Sequence, residues 1–134
     1  MMNLGEVRLL ALVAIGGAIG SVLRYVLSGM LTRGDFPWGT LVVNLSGSFL
    51  ITLVFFYTLS RGNLPTEGRV FLFIGVFGGY TTFSSFGLET VELVRNGQPW
   101  LGALNIGLNT ALCVVGAFLG AALGILWAGV GNGT

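Results

Sequence analysis

The sequence predicts an all-α membrane protein with four transmembrane helices. Of its 134 residues, 54% are hydrophobic and only 8% are charged, whereas an ordinary soluble domain has about 25% charged residues. Four apolar stretches are each long enough to cross a hydrocarbon core of about 30 Å, which needs about 20 helical residues. The connections between them are short and hold Pro, Gly, Asn and Asp, which end helices or form turns. We therefore predict one four-helix transmembrane domain over residues 1–134.

The first predicted helix covers about residues 7–31, and its start raises the question of secretory processing. Small residues near positions 18–20 resemble a signal-peptide cleavage site. The region before the apolar run contains Glu6 as well as Arg8, however, and the run continues to Leu31. Because this length suits a membrane span, we predict a transmembrane helix rather than a cleaved signal.

The second predicted helix covers about residues 38–59 and carries a polar stripe. Thr40, Asn44 and Ser48 stand four residues apart, so they lie on one face of the helix. Polar side chains at membrane depth are costly and usually face the protein interior or a water-filled path. These side chains either bond helix to helix or line a polar pathway, and the presence of several such stripes favours the pathway.

The third predicted helix, about residues 70–94, is interrupted by the stretch GVFGGYTTFSSFGLE at residues 75–89. Adjacent glycines and clustered Thr and Ser weaken a helix, and unwound backbone at membrane depth is tolerated only where protein or a cavity surrounds it. We therefore predict a break near residues 78–82, with helical halves at 70–77 and 83–94. At 1.5 Å per residue the halves measure about 12 and 18 Å, which together cross the bilayer.

A break of this kind is typical of ion sites. Carbonyls freed at the end of the first half can hold a cation, while the positive dipole end of the second half favours an anion. Phe83 and Phe86 follow the break on one helical face, with Ser84 and Ser85 between them. The two rings are either ordinary core or lipid-facing side chains, or their positive edges attract a small anion beside amide and hydroxyl donors. The second alternative predicts a weakly binding, dehydrated anion path.

The fourth predicted helix covers about residues 100–127 and carries Asn105 and Asn109 on one face. Its amides are further candidates for the polar pathway or for bonds between helices.

Small residues at helical spacing allow close backbone packing in lipid, and the sequence has two such rows: Gly16 and Gly20, then Gly116, Gly120 and Gly124. Tryptophan favours the membrane interface, and three predicted helix ends carry it: Trp38, Trp100 and Trp127.

The arginines are evenly divided between the two predicted membrane sides. One side has Arg8, Arg61 and Arg69, and the other has Arg24, Arg33 and Arg95. Orientation normally follows an excess of Lys and Arg in cytoplasmic loops, so this balance predicts insertion in both orientations and pairing as an antiparallel homodimer. A sequence with only six arginines can also reach balance by chance.

Several classes of function are disfavoured by the composition. The sequence has no His, and we recognise neither a metal cluster nor a nucleophile beside a base, so an enzyme is not predicted. No basic face is available for nucleic acid, since the net charge is only +1. Cys113 is the single cysteine and cannot form an intrachain disulfide. We interpret it as a small core residue.

The chain resembles the Fluc fluoride channels, also called the CrcB family, over nearly its whole length. Four strings carry the resemblance: GGAIGSVLRY at 16–25, WGTLVVNLSGSFL at 38–50, GVFGGYTTFSSFGLE at 75–89 and NIGLN at 105–109. The third and second strings together are highly specific. The resemblance implies a dual-topology antiparallel homodimer with two pores, passive export of fluoride that protects the cell, and a structural sodium ion at the dimer interface. It also implies a multi-pass protein of the prokaryotic plasma or inner membrane.

The resemblance also implies roles for individual residues. Phe83 and Phe86 match the pore phenylalanines, and Asn44 matches the pore amide donor. The backbone carbonyls of Gly78 and Thr81 match the sodium ligands. Thr82, Ser84 and Ser85 match hydroxyl contributors to the path. Arg24 matches a vestibule arginine, and Glu89 matches a pore-side acid. Arg24 alternatively snorkels to the interface, and Glu89 alternatively has a surface role.

The fourth helix departs from the family pattern. Asn105 and Asn109 stand where some relatives carry Tyr and Ser, so a hydroxyl track is not carried over, although amides can still donate N–H groups.

Two other functions remain as alternatives. A small dual-topology exporter needs a carboxylate within the membrane, and its nearest candidate is Glu6, before the first helix. A noncatalytic membrane assembly subunit would explain the glycine rows but not the TTFSSF segment.

Overall fold

The computed structural model describes residues 3–130, which are helical apart from short connections and contain no strand in that range. The third predicted span is built from four consecutive helical segments and the others from one each. In chain order the elements are α1 (Leu4–Leu31), α2 (Trp38–Ser60), α3 (Thr66–Arg69), a π-helix (Val70–Phe77), α4 (Gly78–Tyr80), α5 (Phe83–Arg95) and α6 (Pro99–Val130).

Four helical stretches in the described part of the chain are long and apolar enough to cross a membrane, which confirms the predicted number. They are Leu4–Leu31, Trp38–Ser60, Thr66–Arg95 and Pro99–Gly129. α1 starts ahead of its apolar run because Asn3 and Glu6 cap its first turn reciprocally. Proline precedes Thr66 and opens α6, consistent with its preference for helix starts.

The break in the third span consists of two extended residues, Thr81 (φ −82°, ψ 157°) and Thr82 (φ −150°, ψ 114°). The expected interruption is therefore present, but Gly78 and Gly79 themselves remain helical. The preceding π-helix over Val70–Phe77 was not expected from the sequence. Wider π-helical turns often occur at functional sites, and here the turns lead directly into the break.

The glycines before the break are required for close packing against α1 rather than for unwinding. A methyl group on Gly79 would lie 2.5 Å from the Gly17 carbonyl oxygen, and one on Gly75 would lie 2.9 Å from Gly16 Cα. α1 therefore contacts the π-helix and α4 backbone to backbone. This geometry agrees with the structural role predicted for the first small-residue row.

α2 and α6 pack along each other through the second small-residue row. Methyl groups on Gly116, Gly120 and Gly124 would meet Leu45 and the backbone of Phe49 and Leu53. Thr52 Oγ1 donates to the Ala117 carbonyl at 2.8 Å across the same contact. The α2–α6 pair therefore forms a close two-helix unit, against which the break is held.

We expect Gly20→Ala to destabilise the protein, with Gly29→Ala as a matched control on the same helix. A methyl group on Gly20 would lie against the Val76 carbonyl and 2.7 Å from the Tyr80 nitrogen, whereas one on Gly29 would meet nothing within 4 Å. Overpacking costs about 1–3 kcal/mol, while Ala is favoured over Gly in a free helical position. Thermal unfolding of the purified protein in detergent measures both. Equal melting temperatures would show that this contact is not tight.

Candidate functional site

The break faces a cavity between α2, α5 and α6. Its volume is about 370 Å³, and its mostly apolar wall also contains amide and hydroxyl side chains. The residues that line it are Asn44, Ser48, Ile51, Thr81, Thr82, Phe83, Phe86, Asn109, Thr110, Cys113 and Val114. Five residues predicted for the anion path therefore meet in one space: Asn44, Thr82, Phe83, Phe86 and Asn109.

Asn44 closes the break by pairing with the backbone of Thr82. Its Oδ1 accepts from the Thr82 N–H at 2.8 Å, and its Nδ2 donates to the Thr82 carbonyl at 3.0 Å. In an unbroken helix the Thr82 N–H would donate to the Gly78 carbonyl. The side chain of Asn44 thus satisfies backbone groups that the extended residues cannot satisfy themselves, and we name this pair of bonds the Asn44 clamp.

The second donor of Asn44 points along the cavity wall. Its Nδ2 also donates to Asn109 Oδ1 at 3.2 Å. The two amide hydrogens are therefore both engaged, and the longer of the two bonds is the one made to another cavity-lining side chain. An acceptor in the cavity would compete for that hydrogen.

Thr82 begins α5 and gathers the hydroxyl groups predicted for the site. Its Oγ1 accepts from the Ser85 N–H at 3.1 Å as the helix cap. The same hydroxyl donates to Ser85 Oγ at 3.0 Å and lies 3.3 Å from Ser84 Oγ. Thr82 is buried, Ser85 is half-buried and Ser84 is exposed. A hydroxyl cluster therefore lies at the positive dipole end of α5.

Phe83 and Phe86 stand beside the break in an edge-on arrangement. Their ring centroids are 5.2 Å apart with 62° between the ring planes. Phe86 is buried, whereas Phe83 is 82% exposed. An edge-on pair directs the positive edge of one ring past the face of the other. Both rings line the cavity, while most of Phe83 has no cover within the single chain.

Gly78 and Thr81, the positions matched to sodium ligands, lie just before the break and at its first residue. Gly78 is exposed, and the Thr82 N–H that would bond its carbonyl is held by Asn44 instead. Thr81 donates to the Phe77 carbonyl through both its N–H and its hydroxyl, each at 3.1 Å, and its own backbone is extended, so its carbonyl is not part of a continuous helix. Carbonyls at such unwound helix ends are the groups that coordinate Na⁺ in broken spans, so this donor set fits the expected ion.

Asn105 and Asn109 are both buried, and each bonds the other. Asn109 Nδ2 donates to Asn105 Oδ1 at 2.9 Å, and Asn105 Nδ2 donates to Thr90 Oγ1 at 2.9 Å. Thr90 Oγ1 in turn donates to the Phe86 carbonyl at 2.7 Å. Asn109 lines the cavity, whereas Asn105 is fully buried behind it. Thr90 received no role from the sequence, since only the folded contact connects it to the fourth span.

Arg24 lies in a second cavity of about 390 Å³ on the other side of Thr82. Thr82, Ser85 and Glu89 line this cavity together with Arg24, and Thr82 also lines the cavity at the break. Thr40 Oγ1 donates to Glu89 Oε1 at 2.6 Å. Among the described residues, Arg24 Nε and Glu89 Oε2 are the buried side-chain polar atoms that lack a hydrogen-bond partner. The predicted vestibule arginine therefore shares a polar cavity with the predicted pore-side acid.

Two contacts beside the break could not be recognised in the sequence. Ser46 Oγ lies 2.9 Å from the Tyr80 hydroxyl, and a methyl group on Gly47 would press against Thr81. Both contacts hold the last turn before the break against α2. Within residues 3–130, no three side chains of His, Cys, Asp or Glu come together as a metal-binding group.

Comparison with known proteins gives a consistent result. The family model "CrcB-like protein, Camphor Resistance (CrcB)" matches residues 11–121. A relative from Methylobacterium radiotolerans is 43% identical over 122 residues, covering 88% of this chain and 85% of its own. Relatives from Rhodospirillum rubrum (48% identical over 115 residues; 81% and 88%) and Agrobacterium fabrum (48% over 118 residues; 86% and 94%) are similar. All three are named fluoride-specific ion channel FluC.

Proposed function

The chain belongs to the CrcB-like protein family, and from this premise we propose that it is a fluoride-selective passive channel. Its relatives are fluoride-specific ion channels by name, and the family is one of ion channels rather than enzymes. The channel lets fluoride leave the cell and so protects the cell from fluoride toxicity. Its location is the prokaryotic plasma or inner membrane, crossed by four helices.

The observation that carries the proposal is the clamped break beside the phenylalanine pair. Asn44 holds Thr82 against α2, Phe83 and Phe86 line the cavity at the break, and Thr82, at the dipole end of α5, lines both this cavity and the second one. Each of these groups attracts an anion through a partial positive charge rather than a full one. An anion is thus stabilised enough to lose water but not enough to be trapped, as conduction requires.

The order of the groups along the path follows from the two cavities. Arg24 raises the anion concentration in the second cavity, because charge in a cleft with low-dielectric walls focuses the electric field. Thr82 borders both cavities, with Ser85 beside it in the second one, and passes the anion toward Asn44 and Phe86. Fluoride, the smallest halide, gains most from such short contacts.

The working unit in this proposal is an antiparallel homodimer with two pores. The even division of arginines supports it, and so does the uncovered ring of Phe83. A groove of about 540 Å³ between α2 and the π-helix, lined by Ile51, Phe55, Phe73 and Ile74, offers a second chain an apolar seat. A sodium ion at the two-fold axis would be held by the Gly78 and Thr81 carbonyls of both chains, where it would neutralise converging carbonyl dipoles.

Contacts at the two ends of the helical bundle support the assignment of the arginines to the two sides of the membrane. Arg8 lies 3.4 Å from Glu67 at one end, and Gln98 donates to Asp35 at 2.6 Å at the other.

If both orientations are equally populated, a membrane-impermeant thiol reagent applied to intact cells labels about half of the Asn63→Cys molecules in a Cys113→Ala background. Labelling of all molecules, or of none, would contradict dual topology. Gln98→Cys in the same background is the matched control, with the same half-labelling expected.

The experiment that tests the function is anion efflux from liposomes that contain the purified protein. With a potassium-diffusion voltage imposed, fluoride should leave rapidly while chloride is retained. Fluoride retention with the protein intact and sodium present would reject the channel and favour a membrane assembly subunit. Proton-coupled movement of a cationic substrate would instead favour a small exporter.

A further inference from the structure

A one-directional chain of hydrogen bonds runs beside the cavity from Asn44 at the break to the backbone carbonyl of Phe86. Asn44 donates to Asn109, Asn109 to Asn105, Asn105 to Thr90, and Thr90 to the Phe86 carbonyl. We name these bonds the amide relay. It joins α2, α6 and α5, and two of its members, Asn105 and Thr90, lie outside the cavity lining.

The direction of the amide relay is set by backbone groups at both ends. The Phe86 carbonyl can only accept, so the Thr90 hydroxyl donates to it and accepts from the amide nitrogen of Asn105. At the other end the Thr82 N–H can only donate, so Asn44 presents its oxygen there. Consequently Asn109 must present its oxygen, not its nitrogen, to Asn44. Its amide cannot rotate without breaking buried hydrogen bonds, which is costly.

We propose that Asn109 Oδ1 is a built-in competitor for the amide hydrogen of Asn44 that fluoride uses. Asn105 and Thr90 are positioning residues that keep this oxygen turned toward Asn44. The proposal rests on the proposed function and assigns the selectivity of that same site. Asn109 therefore contributes an acceptor to the wall of an anion path, whereas the sequence suggested an amide donor.

Competition of this kind selects for anions that bind hydrogen strongly. A hydrogen bond to an anion is about twice as strong as one between neutral groups, and fluoride concentrates its charge more than chloride. Fluoride can therefore displace the neutral oxygen of Asn109 at 3.2 Å from Asn44. Chloride gains less from the same hydrogen and leaves the resting bond in place. When fluoride departs, Asn109 takes back the hydrogen, which keeps anion binding weak.

The test removes the relay without leaving an unpaired buried amide. In Asn105→Leu with Asn109→Leu, both side chains keep a branched shape of similar size, and Thr90 retains its bond to the Phe86 carbonyl. Efflux of fluoride and of chloride is measured from liposomes under the same imposed voltage. We expect the fluoride-to-chloride ratio of rates to fall by about tenfold, equivalent to about 1.4 kcal/mol, chiefly through faster chloride efflux.

A second variant and a control make the result decisive. Thr90→Val keeps the shape of the side chain but removes the hydroxyl that accepts from Asn105. It should lower the fluoride-to-chloride ratio by about threefold, since Asn105 loses one neutral hydrogen bond. Thr52→Val removes a different α2–α6 bond, to the Ala117 carbonyl, and should leave the ratio unchanged. If the double variant does not assemble, Thr90→Val decides.

Two outcomes separate the proposals. Wild-type fluoride flux with an unchanged ratio in the relay variants, or a parallel loss of both anions, would overturn the role of the amide relay and leave the channel function standing. Absence of fluoride flux from the wild-type protein would instead overturn the channel function itself.

Discussion

Replacing Phe83 and Phe86 together with isoleucine is expected to reduce fluoride efflux to that of protein-free liposomes, while the protein remains assembled. The two rings stand edge-on with centroids 5.2 Å apart beside the break. Isoleucine keeps an apolar wall but has no quadrupole, so the positive ring edges that attract the anion are lost. Liposome efflux under an imposed voltage measures the flux, and gel filtration in detergent measures the assembly.

The control for this pair is Phe56→Ile with Phe118→Ile. It changes one half-buried ring, Phe56, and one exposed ring, Phe118, which is 74% exposed and so resembles Phe83. Neither of its rings lines the cavity at the break, so fluoride efflux should persist. If Phe83→Ile with Phe86→Ile conducts fluoride at the wild-type rate, the ring edges do not contribute to the path.

Asn44 variants should lose fluoride flux by about 10- to 100-fold, and two substitutions separate its two roles. Asn44→Asp keeps an oxygen for the Thr82 N–H but loses both N–H donors. Asn44→Leu loses the whole Asn44 clamp. A hydrogen bond to a charged group contributes about 1.5–3 kcal/mol, and every 1.4 kcal/mol is tenfold, so the lost donor alone has a large effect in either variant.

The two Asn44 variants should differ in stability. Asn44→Leu leaves the N–H and the carbonyl of buried Thr82 unpaired, which costs about 1–3 kcal/mol for each group, whereas the aspartate retains one bond. Thermal unfolding should therefore rank the leucine variant lowest. Thr58→Val, which removes only a bond within its own turn of α2, should match the wild type in both flux and melting temperature. Normal flux through Asn44→Asp would show that the amide hydrogen does not contact fluoride.

The composition and length of the apolar stretches predicted the four spans, because the bilayer imposes both requirements on every helix separately. The interruption in the third span was also predictable, since its residues weaken a helix. The sequence did not show which residues of the third span unwind. Gly79 stays helical where α1 approaches its backbone at Gly17 and Gly20. Thr81 and Thr82 adopt the extended conformation, and there the Asn44 side chain pairs with the Thr82 backbone.

The candidate site was predictable in its members but not in its bonding. Spacing placed Asn105 and Asn109 on one helical face, yet nothing in the spacing shows that their amides point the same way along a relay. That direction depends on Thr90 and on the Phe86 carbonyl, which come from another helix. The contact of Thr40 with Glu89 likewise joins residues far apart in the chain. Contacts of this kind require the tertiary packing to be known.

The most direct test of a fluoride-selective passive path is the reversal potential across a planar bilayer that contains the purified protein. Fluoride is set at a tenfold gradient, with chloride equal on both sides and an impermeant anion balancing the charge. A reversal potential displaced from zero by about 59 mV, the value for a tenfold ratio of a monovalent ion, is the predicted result. Current that reverses at zero, or that is absent while the protein is inserted, would contradict the proposed function.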